Sequence, residues 1–206
     1  MKVKICGIQD TDTALSAIGF GADALGFVFA ESKRQITADI AREIIGALPY
    51  EVLKVGVFVN EAAEEINRIV NETGINVIQL HGDETPEFCR QFSIPVIKAL
   101  SIETAEDLNL LEQYSCDYFL LDSPKGKYRG GNGVTFDWSL LKQKKLENKK
   151  IILAGGLTIE NVAQAINIAE PYMVDVSSGV ETDGKKDQSK IKKFIEAAKN
   201  EEEAVI

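Results

Sequence analysis

The sequence predicts a compact (β/α)8 barrel, a single domain spanning residues 1–206. Three observations predict it. Eight short apolar or alternating runs recur along the chain, each closes on a polar or glycine-containing end, and each is followed by a stretch with helical spacing. No Pro/Gly/Ser-rich linker interrupts the alternation, and an open doubly wound sheet would normally use fewer strands.

The runs are VKIC (3–6), ALGFVF (24–29), LKVGVFV (53–59), VIQL (77–80), VIKAL (96–100), YFLLD (118–122), IILA (151–154) and MVDVS (173–177). After the first, residues 10–19 carry Thr13, Ala14, Ala17 and Ile18 at near-helical spacing, with Thr11 or Asp12 as the cap and Gly19 to Gly21 as the stop. Thr37 opens the second helix, whose apolar side is expected at Ile40, Ile44 and Ala47. Asn60 is expected to cap the third, with Glu61, Glu64 and Glu65 at its positive end. Further helices are expected after Asp83, Ser101, Asp137, Thr158 and Asp187. The irregular stretch 123–135, with four glycines, reads either as a surface connection or as a mobile loop over the catalytic face.

Composition narrows the function classes. With 206 residues the chain is short for this architecture, which typically needs ~250, so helices and connections must be spare. A net charge of −9 argues against a broad nucleic-acid or anionic-membrane surface, while leaving room for a local phosphate pocket. No apolar stretch approaches a transmembrane span, and the first strand begins by Val3 in place of a signal peptide, so a cytoplasmic location is expected. Cys6, Cys89 and Cys116 form neither a C-x-x-C motif nor an even set, and His81 is the sole histidine, so no disulfide framework and no multi-histidine metal site is expected.

In such a barrel the chemistry lies at the C-terminal strand ends. Cys6 closes the first strand before Gly7 and reads either as a small buried hydrophobe or as a proton acceptor. Alternation turns Lys4 to the same face, where it can lower the Cys6 pKa or pair with Asp175, which alternation also turns inward. Asp122 ends the sixth strand and is either a turn residue or, with a thiol across the mouth, the other half of an acid–base pair. Gly155 and Gly156 follow the seventh strand, and Ser177, Ser178 and Gly179 the eighth. Small residues there let backbone N–H groups approach a phosphate, in the loops where many barrels bind one. Arg34, after the second strand, is either an exposed basic turn or a bidentate carboxylate ligand, and His81 either orients substrate or shapes the rim.

These residues stand in segments that resemble the phosphoribosylanthranilate isomerase family of tryptophan biosynthesis: KICGI, GADALGFVF followed by SKR, VGVFVN, VIQLHGDE, LLD with GGNGVTFDW, AGGLTIENV, and VDVSSGVE with GKKD. The resemblance runs from Lys4 to Asp187. It implies a TIM barrel of the ribulose-phosphate-binding type. It also implies conversion of N-(5′-phosphoribosyl)anthranilate to 1-(2-carboxyphenylamino)-1-deoxyribulose 5-phosphate by general acid–base catalysis without metal or organic cofactor. On the family's pattern Cys6 is the general base, Asp122 the general acid, Arg34 the ligand of the anthranilate carboxylate, and Gly155, Gly156, Ser177, Ser178 and Gly179 the phosphate site. One departure is visible: only Ala30 and Glu31 separate GFVF from SKR, a shorter and proline-free spacing. Two other readings compete, the related isomerase of histidine biosynthesis, which resembles an aspartate pair where this chain has Cys6, and a non-catalytic phosphate-binding barrel. The expected partner is a phosphorylated small molecule, with no nucleic acid or membrane, and the chain works as a monomer or homodimer.

Overall fold

A computed structural model of the protein describes residues 1–123, 136–143, 146 and 149–199. Its core is a closed parallel barrel of eight strands: β1 (Lys2–Cys6), β2 (Ala24–Val28), β3 (Leu53–Phe58), β4 (Val77–Leu80), β5 (Val96–Ser101), β6 (Tyr118–Asp122), β7 (Lys150–Leu153) and β8 (Met173–Val176). Strand β1 closes the ring on β8 in the register Lys2 to Met173 and Lys4 to Asp175. Every expected run ends within one residue of an observed strand, because the apolar alternation that marks it is the pleat itself.

Alternation also sorts the side chains into two cores. Outward residues such as Val3, Ile5, Leu25 and Phe27 pack against the helices. Inward residues Ala24, Val55, Val77, Ile97, Leu120, Ile152 and Met173 form a separate cluster inside the ring. At the N-terminal end the interior is covered by Tyr118 and Tyr172, whose ring centroids lie 5.7 Å apart. Lys2 Nζ donates to Tyr172 Oη at 2.8 Å, and Lys150 Nζ lies 5.0 Å from the Tyr118 centroid.

The helices are α1 (Thr11–Gly19), α2 (Ala38–Gly46), α3 (Ala63–Thr73), α4 (Pro86–Cys89), a 3-10 helix (Ala105–Glu112), α5 (Leu140–Gln143), α6 (Val162–Ala169) and α7 (Gln188–Lys199). Several are one or two turns long, which is how the short chain completes the ring. Three local expectations are corrected. The cap of α1 is Asp10, which accepts from Thr13 N at 2.7 Å, in place of Thr11 or Asp12. The buried face of α2 is Ala41, Ile44 and Ile45, with Ile40 43% exposed, so the apolar stripe is rotated from the one expected. Asn60 does not cap α3: it sits at φ 53° two residues before the cap position, and its Oδ1 accepts from Asp83 N at 2.7 Å. A side chain used to join two loops is lost to capping.

Outside the ring, a short hairpin of β9 (Glu181–Thr182) and β10 (Lys185–Lys186) follows β8. Lys98, on the outward face of β5, is buried with Glu84 at 2.7 Å. Glu84 also accepts from Asn60 N and Gly82 N, so one buried ion pair organises the loops after β3 and β4. Among the described residues no helix is long and apolar enough to cross a membrane. Of the stretch 123–135, residues 124–135 lie outside the described residues.

Candidate active site

Cys6 ends β1 with its side chain turned into the mouth and 8% exposed. Room for its sulfur comes from Gly26 on β2, where an added Cβ would lie 2.7 Å from Sγ. Beneath it Lys4 is fully buried, with Nζ 2.9 Å from Asp175 Oδ1, and its charge favours the Cys6 thiolate. Lys4 thus forms the pair expected with Asp175 while its charge draws the Cys6 pKa down, though not far enough to offset burial. Burial works against the Lys4 ammonium, but Asp175 and Cys6 outweigh it and hold its pKa above the ordinary value. For Cys6 the balance falls the other way. Burial pushes the thiol up and Asp175 adds to it, while Lys4 and Lys186 only partly oppose them.

Asp122 ends β6, three strands from β1 by the shorter way round the ring, and is buried. Its Oδ1 accepts from Ser123 N at 2.8 Å. Its Oδ2 lies 3.4 Å from His81 Nε2. Gln79 Nε2 lies 3.0 Å from His81 Nδ1, so with the amide donating, Nδ1 accepts and the imidazole proton on Nε2 points to Asp122. His81 therefore contacts the candidate acid directly, and Gln79 sets its tautomer. A cleft of about 270 Å³ opens beside this pair, lined by His81, Lys98, Ser101, Leu110, Tyr114 and Ser123.

The two glycine-rich turns pack on each other. Gly155 and Gly156 have φ of 82° and 64°, the left-handed region that favours glycine. An added Cβ at Gly155 would lie 2.7 Å from Asp122 Oδ1, and one at Gly179 only 2.0 Å from Leu157 O. Asn161 fixes the first turn, accepting from Thr158 N at 2.8 Å and donating to Gly156 O at 3.0 Å. Ser177 Oγ donates to Cys6 O at 3.1 Å, which ties the second turn to β1.

Arg34 reaches the same rim from the bend after β2, its stem crossing Gly7, where an added Cβ would lie 2.5 Å from Arg34 Cδ. Its Nε and Nη2 bind both carboxylate oxygens of Glu181, at 2.6 and 2.8 Å. Lys186 Nζ joins the same carboxylate at 2.6 Å and donates to Ser177 O at 2.9 Å. Burial raises the Glu181 pKa, but Arg34 and Lys186 outweigh it and the net shift is downward. For Lys186 burial prevails over Glu181 and the net shift is downward too.

Every candidate residue lies at this end of the barrel. Sequence reasoning gave no role to Glu181, Lys186, Gln79, Ser123 or Asn161. Gln79 carried a usable signal, a polar residue two positions before His81 and so on the same inward face. Glu181 and Lys186 sit on the hairpin, whose one local signal is the Asp183-Gly184 turn, with φ of 51° and 76°.

Comparison with known proteins places the chain in a family. The family model described as N-(5'phosphoribosyl)anthranilate (PRA) isomerase matches residues 3–197. The chain belongs to the phosphoribosylanthranilate isomerase family. Among similar isomerases of this name, that of Bacillus cereus (strain G9842) is 58% identical over 196 residues, covering 95% of this chain and 96% of the relative. That of Bacillus mycoides (strain KBAB4) is 56% identical over 200 residues, covering 97% and 98%. The crystal structure of phosphoribosyl anthranilate isomerase from Thermotoga maritima is 43% identical, with a TM-score of 0.89 over 97% of this chain and 99% of that one. A phosphoribosyl anthranilate isomerase solved in complex with reduced 1-(o-carboxyphenylamino)-1-deoxyribulose 5-phosphate is 42% identical with a TM-score of 0.86, covering 97% of this chain and 99% of that one.

Proposed function

We propose that Cys6 is the general base and Asp122 the general acid in the isomerisation of N-(5′-phosphoribosyl)anthranilate to 1-(2-carboxyphenylamino)-1-deoxyribulose 5-phosphate, a step of tryptophan biosynthesis. The observation that carries this is the pair of inward, buried proton-transfer groups on opposite sides of one mouth. Asp122 gives a proton to the ribose ring oxygen, the C1′–O bond breaks, and the anilino nitrogen takes up the positive charge as a Schiff base. Cys6 as thiolate removes the proton from C2′, leaving an enolamine. Protonation at C1′ and loss of the O2′ proton then give the ketone. An acid and a base on different strands fit a reaction that moves protons between neighbouring atoms of one ligand.

The rest of the rim supports the placement of the ligand. The two packed glycine-rich turns have no room for a side chain at Gly155 or Gly179, and the backbone N–H groups of Gly155, Gly156, Ser178 and Gly179 would meet the phosphate, with Ser177 beside them. Arg34 would take the anthranilate carboxylate and His81 would hold Asp122 in position. The same reading carries a cytoplasmic location, no nucleic-acid partner, and a monomer or homodimer. A solved Thermotoga maritima isomerase, 42% identical with a TM-score of 0.87, is described as monomers generated from a dimeric protein.

Cys6→Ala and Asp122→Asn are the test. Each should lower kcat by about 10²- to 10⁴-fold, the usual worth of a positioned proton-transfer group. Circular dichroism should stay unchanged. Wild-type turnover in either variant refutes the role assigned to that residue.

A further inference from the structure

Glu181 is a half-buried acid at the rim of a site built for an acidic substrate, which needs a physical reason. Its two oxygens take the Nε–Nη2 edge of Arg34, and Oε1 also takes Lys186. Two cations and one carboxylate leave a formal charge of +1 on the cluster, so Glu181 does not cancel its attraction for an anion. Among the described residues only the Nε–Nη2 edge of Arg34 is engaged, which leaves Nη1 for a ligand. Lys186 in turn holds Ser177 by its carbonyl and hydroxyl, at 2.9 and 3.2 Å, and Ser177 holds the Cys6 carbonyl. One carboxylate thus connects the bend after β2, the turn after β8 and the end of β1.

We propose that Glu181 is a positioning residue that holds Arg34 ready for the aromatic carboxylate of the substrate. This rests on the reading that Arg34 takes that carboxylate. An arginine on a bend loses rotamer freedom when it binds, and a fork already fixed along one edge has less left to lose. Glu181 therefore acts through Arg34 on ligand binding and leaves the proton-transfer step to Cys6 and Asp122.

The test is a double-mutant cycle with kcat and KM read separately for N-(5′-phosphoribosyl)anthranilate. Glu181→Gln keeps the shape and removes the charge; it should raise KM about tenfold, with kcat held within about threefold. Arg34→Met should raise KM at least as much, and adding Glu181→Gln to Arg34→Met should change little further. Glu181→Asp keeps the charge and shortens the reach; it should fall between wild type and Glu181→Gln, and it carries the test if Glu181→Gln does not fold. An unchanged KM in Glu181→Gln, beside a raised one in Arg34→Met, overturns the proposal and leaves the reading of Arg34 intact. A lowered KM overturns it as well, because Glu181 would then be a competitor of the substrate. Additive effects in the double variant show that Glu181 acts independently of Arg34 and overturn it too. An unchanged KM in Arg34→Met overturns the underlying reading, and the proposal with it.

Discussion

The thiol of Cys6 has to lose its proton before it can accept one, and its surroundings make that harder than in water. Burial and Asp175 raise its pKa, and Lys4 and Lys186 restrain the rise. If Cys6 is the base, kcat/KM should therefore still climb with pH above the ordinary thiol range. Lys4→Met removes a cation beside the thiolate and should move that limb to higher pH, whereas Asp175→Asn removes an anion and should move it lower. Alkylation of Cys6 followed against pH checks both signs without relying on turnover. Gly26→Ala tests the space itself: its Cβ would meet Sγ at 2.7 Å and the Cys6 Cα at 3.0 Å. The expected cost is about 1–3 kcal/mol in urea unfolding, the range for overpacking, together with a loss of kcat. At this scale sequence went far. Parity alone turned Cys6, Lys4 and Asp175 inward, because a pleat permits only two directions. It could not show that Lys4 serves two partners at once, since that depends on how strands β1 and β8 meet in register.

Elements explain where reading failed. The strands were legible because each carries an apolar alternation of its own, whereas the caps of α1 and α3 were not. Asp10 stands beside Thr11 and Asp12, which could equally cap, and Asn60 was taken by the loop after β4, leaving α3 to start at Ala62 without a side-chain cap. The same loop rests on Lys98 and Glu84, a pair invisible to alternation because Lys98 points outward from a strand that is otherwise apolar on that face. Glu84→Ala should leave the Lys98 ammonium buried without its carboxylate and cost about 3–5 kcal/mol, measured as a shift in the urea midpoint at constant slope. His81 should also lose its fixed place beside Asp122, because Gly82 is held by Glu84. The hairpin of β9 and β10 was the largest omission. Its strands are two residues each, too short for a period to register, so only the Asp183-Gly184 turn marks it, yet it carries both charged partners in the Arg34 cluster, Glu181 and Lys186.

The whole molecule is a ring that exists only when closed. Strand β1 pairs with β8, and α7 covers that seam with Ile191, Phe194, Ile195 and Ala198, all buried. Ending the chain after Asp187 should expose β1 and the inner face of α1 and abolish cooperative unfolding, which differential scanning calorimetry would show as the loss of a single transition. The fold was legible because eight repeats of one phrase fit few architectures, and the short helices followed from the length.

The tyrosine pair at the N-terminal end has a consequence for traffic. With Tyr118 and Tyr172 lying under Lys2 and Lys150, the barrel among its described residues has a floor, and ligands come and go by the mouth alone. Product must vacate the doorway through which the next substrate arrives, so product inhibition should be purely competitive, altering the slope of a double-reciprocal plot and leaving its intercept fixed.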